Sequence, residues 1–156
     1  MICSVCNVLS QPIINIWGAE DQPNLKNQIL EYMDMLEIDE DINLVVGLTS
    51  DISEDFHGMT YLDLNNQHLY QTIIVKISSQ LSEYKFNQVL AHEMVHVKQL
   101  VKEELELVNG NEIMWKEKMY VAQFQHNEFS LPWEQEAYLK DNRLAKAYKA
   151  LQSNKL

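Results

Sequence analysis

The chain has 156 residues, 46% hydrophobic and 22% charged, a balance that suits one globular domain with its own core and excludes a disordered or fibrous chain. Lys and Arg number 12 against 23 Asp and Glu, and the resulting net charge of −11 argues against nonspecific binding to phosphate backbones. No run approaches the ~18 apolar residues that cross a bilayer, and the N-terminus has neither a basic leader nor a clear cleavage site, so the expected setting is cytoplasmic with no membrane partner.

In chain order, Cys3 and Cys6 come first, spaced C-x-x-C. No second pair and no suitably spaced histidines follow nearby, so a structural zinc knuckle is not expected. They read as ordinary cysteines of a reducing compartment. Gln11 to Gly18 (QPIINIWG) has strand character, and Asp21 and Pro23 then open a helix with Leu25, Ile29, Met33 and Leu36 on one face. Ile42 to Leu48 is an apolar run of strand length. Two more strands, MTYLDL and LYQTIIVKIS, are joined by NNQH as a hairpin.

From Ser82 the hydrophobic period changes from two to about 3.6, which predicts a helix with Phe86, Val89, Leu90, Met94, Val97 and Val101 on a broad apolar stripe. LELVNGNEIMWKEKMYV reads as a hairpin turning with positive φ at Asn109-Gly110. Ser130 and Pro132 open a last helix that runs nearly to the end. The expectation is one α+β domain over residues 1–156.

The chemistry lies in VLAHEMVHVKQL. Residues four apart on a helix differ by about 40° in azimuth, so His92 and His96 project from one face and can share a metal ion. Glu93 lies about 100° round, where it can take a proton from a metal-bound water. Two histidines and a glutamate are costly to bury in so apolar a helix unless something pairs them, and a metal does so.

A catalytic zinc takes three protein ligands. The extension H-E-x-x-H-x-x-G-x-x-H fails, because Gln99 holds the glycine position and Lys102 that of the third histidine. An acidic ligand from the first turn of the last helix is the main option, and LPWEQEAYL offers Glu134 and Glu136. They lie about 200° apart on a helix, so only one can face the ion. His126 is a third possibility.

AHEMVHVKQ followed by PWEQEA resembles the gluzincin metallopeptidases, most closely their small single-domain and phage-type members. The resemblance covers roughly residues 71–144. In that group the glutamate ligand stands in E-x-x-A, which Glu134 and Ala137 match here. The resemblance therefore implies His92, His96 and Glu134 as zinc ligands, Glu93 as general base and one catalytic Zn2+. It implies a zincin-like fold, a mixed β-sheet packed on the active-site helix, with a β-hairpin and a C-terminal helix that carries the glutamate ligand. A histidine ligand would instead resemble the SprT-like proteases, whose DNA-bound substrates suit the acidic charge poorly.

The implied function is hydrolysis of peptide bonds in a peptide or protein substrate. The alternative is a zincin-like binding or structural protein, such as a phage component, with a stabilising zinc. The zincin architecture binds extended substrate on an edge strand. LYQTIIVKIS is a candidate for that edge, with an interior strand the equal alternative. Tyr120 and Tyr138 are candidate oxyanion donors. Trp115 and Trp133 read as hydrophobic anchors, and His57 and His68 as turn residues, although His57 could reach the cleft from its loop.

Overall fold

The computed structural model describes residues 12–52, 56–63, 72–110, 112–121 and 128–154. It is a mixed α+β structure with three α-helices among these residues. The elements are β1 (Ile13–Trp17), α1 (Leu25–Met35), β2 (Asn43–Thr49), β3 (Gly58–Asp63), β4 (Thr72–Ser78) and α2 (Glu83–Val101). They continue with β5 (Leu105–Asn109), β6 (Glu112–Trp115), β7 (Lys118–Val121), a 3-10 turn (Glu128–Ser130) and α3 (Pro132–Ser153). None of these helices is long and apolar enough to cross a membrane.

The larger sheet has strand order β1-β2-β4-β3. β1, β2 and β4 run parallel, and β3 closes the row antiparallel to β4, with Thr60 opposite Val75 and Gly58 opposite Ile77. The period-two alternation puts Leu44, Val46, Ile73, Val75 and Ile77 on one face, where they share a core with Ile29, Tyr32 and Met33 of α1 and Leu90 and Met94 of α2. LYQTIIVKIS therefore supplies an interior strand, paired on both sides as β4, and the edge beside α2 is β3. The Asn65-to-His68 connection lies outside the described residues, but β3 and β4 do pair antiparallel as a hairpin requires.

α2 starts where Ser82, in extended conformation, accepts a hydrogen bond from the backbone N–H of Lys85 at 3.4 Å. It ends in a Schellman turn. Glu103 takes positive φ (54°), with Glu104 N–H donating to Gln99 O at 2.8 Å and Glu103 N–H to Leu100 O at 3.1 Å. α2 lies between the larger sheet and α3. The fully buried Ala137 sits at the α2–α3 interface, where a small side chain permits close approach.

LELVNGNEIMWKEKMYV forms not one hairpin but a three-stranded meander, β5-β6-β7. Among its described residues, positive φ values fall in the second turn, at Lys116 (45°) and Glu117 (66°), and not at Asn109 or Gly110. The first turn is reached instead through a register shift between Leu107 and Asn109. This small sheet docks on the start of α3: the ring centroids of Trp115 and Tyr120 lie 6.4 and 5.8 Å from that of Trp133. Both tryptophans are buried, so they anchor the turn that presents Glu134.

Candidate metal centre

With the register of α2 fixed by its cap and its apolar stripe, His92 and His96 face α3. Pro132 opens α3 and places Glu134 in its first turn, where the helix dipole favours a carboxylate. Three atoms meet there. His92 Nε2 lies 3.2 Å from Glu134 Oε2 and 3.2 Å from His96 Nε2, and His96 Nε2 lies 3.4 Å from Glu134 Oε2.

These distances test whether an ion fits. With Zn–N and Zn–O bonds near 2.05 Å, neighbouring ligand atoms of a tetrahedral site stand about 3.3 Å apart. The observed triangle has that size, so His92, His96 and Glu134 could together hold a metal ion. Two nitrogens and one carboxylate oxygen form a donor set for a borderline divalent metal.

Without a metal, a proton on His96 faces the Glu134 carboxylate. Burial would lower the His96 pKa, but the hydrogen bond and charge of Glu134 outweigh it and lift the value to about 9. Burial would raise Glu134, and the hydrogen bonds from His92 and His96 more than reverse this, to about 2. Both shifts express one interaction, an imidazolium–carboxylate pair that a divalent cation would replace.

Glu93, one residue on from His92, turns towards the edge strand. Its carboxylate accepts a hydrogen bond from Thr60 Oγ1 at 2.7 Å, and that hydroxyl also lies 3.3 Å from Glu93 O. Gly58 passes against the same side chain: a Cβ there would stand 2.8 Å from both Cγ and Cδ of Glu93 and closer still to Oε1. At 5% exposure, burial pushes the Glu93 carboxyl above its ordinary value, against the opposing charge of His96 and the Thr60 hydrogen bond. A carboxyl raised in this way holds a proton more readily than an exposed glutamate does.

The imidazoles are held from behind. His96 Nδ1 is 2.8 Å from Gln99 Oε1, and Gln99 Nε2 donates to Trp133 O at 3.0 Å and to Glu136 Oε2 at 3.1 Å. His92 Nδ1 approaches Asp141 Oδ2 at 3.7 Å, and Gln88 Nε2 donates to the same oxygen at 3.4 Å. Asp141 is 2% exposed.

The sequence-predicted residues thus separate. His92, His96 and Glu134 converge, with Glu93 beside them on one cleft of about 320 Å³. Glu136 points away, its Oε1 taking Lys140 at 2.8 Å. Tyr138 lines the cleft with its ring 4.6 Å from that of His92, whereas Tyr120 packs edge-on to Trp133 and does not line it. His57 lines the cleft from its loop. Cys3, Cys6, His68 and His126 lie outside the described residues.

Gln99, Asp141, Thr60 and Gly58 escaped the sequence reading as parts of the site. Gln99 carried a signal in its spacing, three residues after His96 and so on the same face. The others become visible only once the strands and helices are docked. No family model, no curated protein and no solved structure matches the chain. The reading of the site therefore stands on its geometry and on the motif residues.

Proposed function

We propose that this chain is a small zinc-dependent metallopeptidase of the gluzincin type, with a zincin-like arrangement of its sheet and helices. The observation that supports this most is the closed triangle of His92, His96 and Glu134 atoms, with a buried glutamate next to it on the same cleft. A site that served only to staple the fold would not need Glu93, whose burial carries a cost.

A zinc ion bound by these three residues would supply Lewis-acid polarisation of the scissile carbonyl and acidify the attacking water. The remaining work belongs to the chain. Glu93 accepts the proton of the attacking water and returns it to the departing amine, and Thr60 and Gly58 fix where its carboxylate stands. β3 is the edge strand that lines the cleft, through Gly58, Met59 and Thr60, and it offers an extended peptide a strand to add to. The substrate is a peptide or protein segment in extended conformation.

The test compares zinc-loaded wild type with Glu93→Gln on an unstructured protein substrate. Glu93→Gln should keep its zinc and lose hydrolysis by about 10²–10⁴-fold. Equal rates in the two proteins would remove Glu93 from the chemistry and the peptidase reading with it.

A further inference from the structure

The Gln99 side chain is fully buried where α2, α3 and the small sheet meet. Buried amides are retained when each polar atom has a partner, and here the partners dictate its orientation. Two groups face one end of the amide, the carbonyl of Trp133 at 3.0 Å and the carboxylate of Glu136 at 3.1 Å. A carbonyl oxygen and a carboxylate can only accept, so the atom between them is the NH₂ group, with both of its hydrogens used. The amide oxygen is thereby aimed at His96 Nδ1, 2.8 Å away. An oxygen there requires a proton on Nδ1, and in the neutral ring this leaves the Nε2 lone pair facing His92 Nε2 and Glu134 Oε2.

Glu136 keeps the amide from reversing. Its Oε1 faces Lys140 at 2.8 Å, Lys116 at 3.6 Å and Lys98 at 3.9 Å, which leaves Oε2 for Gln99. The bond to Trp133 O reaches the residue immediately before Glu134, in the turn that presents the third ligand. One side chain thus touches the ring of one ligand and the backbone next to another.

We propose that Gln99 is the positioning residue of the metal centre: it selects the Nδ1–H tautomer of His96 and fixes the first turn of α3 against α2, so that the His96 and Glu134 donor atoms arrive pre-aligned. The proposal rests on the metal reading given above. It assigns Glu136, the rival third ligand in sequence, a separate task as the anchor that orients Gln99.

The test uses zinc-loaded full-length protein with ¹⁵N-labelled histidine and two readouts: zinc affinity by chelator competition, and the His96 ring signals by long-range ¹H–¹⁵N NMR. Wild type should show Nε2 bound to metal and a low-field, slowly exchanging Nδ1 proton. Gln99→Met, of similar length but without donor or acceptor, should weaken zinc binding about 10–100-fold and lose the protected Nδ1 proton. The exchange Gln99→Glu with Glu136→Gln reverses donor and acceptor between the two residues while keeping an acceptor for Nδ1–H. It leaves Trp133 O without its donor, so it should keep the protected Nδ1 proton while binding zinc more weakly than wild type, and that proton decides the matter if Gln99→Met does not fold.

Wild-type affinity and an unchanged Nδ1 proton in folded Gln99→Met would overturn the proposal while leaving the metal centre standing. So would a folded double variant that loses the protected Nδ1 proton. A wild type that takes up no zinc would overturn the metal reading itself, and the proposal would fall with it.

Discussion

Replacing Gly58 by alanine probes the contact between the edge strand and Glu93 with one added methyl group. The new Cβ would lie 2.8 Å from Cγ and Cδ of Glu93. Carbon atoms pack best at about 3.5–4.0 Å, so the carboxylate or β3 must retreat by about 1 Å. The carboxylate cannot do so freely: it is buried, and its 2.7 Å bond to Thr60 would stretch towards breaking. Overpacking of this kind costs about 1–3 kcal/mol, which for a chain of this length lowers Tm by roughly 2–12 °C. A displacement of about 1 Å at a catalytic group costs on the order of 10²-fold in rate. The three atoms nearest the new Cβ all belong to Glu93 and none to a converging ligand, so zinc content should be unchanged. The assay is therefore threefold: elemental zinc, thermal melting and kcat/KM on an unstructured protein substrate. A Gly58→Ala protein that melts and hydrolyses as wild type does would refute the claim that β3 fixes Glu93 by contact.

Further outcomes follow from the same geometry. In the metal-free protein His96, raised to about 9, contributes stability that is fully present below pH 6.5 and is lost as pH rises through about 9. Glu134, lowered to about 2, contributes stability that is present above pH 4.5 and is lost as pH falls through about 2. Metal-free protein should therefore melt lower at pH 9.5 than at pH 6.5, as differential scanning calorimetry will show. Zinc must displace the His96 proton, so at pH 7 binding should release about one proton from this residue, and apparent affinity should climb about tenfold per pH unit up to about pH 9. Calorimetric titration in buffers of different ionisation enthalpy counts that proton, and a count of zero contradicts the His96–Glu134 pairing. Asp141→Asn removes the charge beside His92 Nδ1 and should weaken zinc binding about tenfold by chelator competition, and unchanged affinity would make Asp141 a packing residue only.

What the sequence disclosed, and what it hid, follows from which interactions are local. Helix periodicity is local, so α2 and the shared face of His92 and His96 were legible before any fold was known. The 200° separation of Glu134 and Glu136 was legible as well, but helix geometry alone did not say which of them faces the two histidines, and only the E-x-x-A resemblance pointed to Glu134. That choice depends on how α3 docks, and Trp133 settles it by packing against Trp115 and Tyr120 of a separate sheet.

Strand order is equally non-local. The alternation in LYQTIIVKIS gives one buried face but not the number of partners, and the strand proved interior, leaving the edge to β3. The meander was read as one hairpin because Asn109-Gly110 carries the usual turn signal and Lys116-Glu117 does not. Yet it is the latter pair that adopts positive φ. Its turn is held from outside, by Lys116 N–H donating to Glu104 O at 2.8 Å. Thr60, Gly58 and Asp141 join the site from elements 33 to 49 residues away from their partners, a pairing that no short window reveals.

The most direct test of the central claim is elemental analysis of zinc in purified wild type, Glu134→Ala and Glu136→Ala after reconstitution with zinc and removal of excess. The account predicts about one zinc per chain in wild type and in Glu136→Ala, and its loss in Glu134→Ala. No zinc in wild type, or zinc kept by Glu134→Ala and lost by Glu136→Ala, would contradict it.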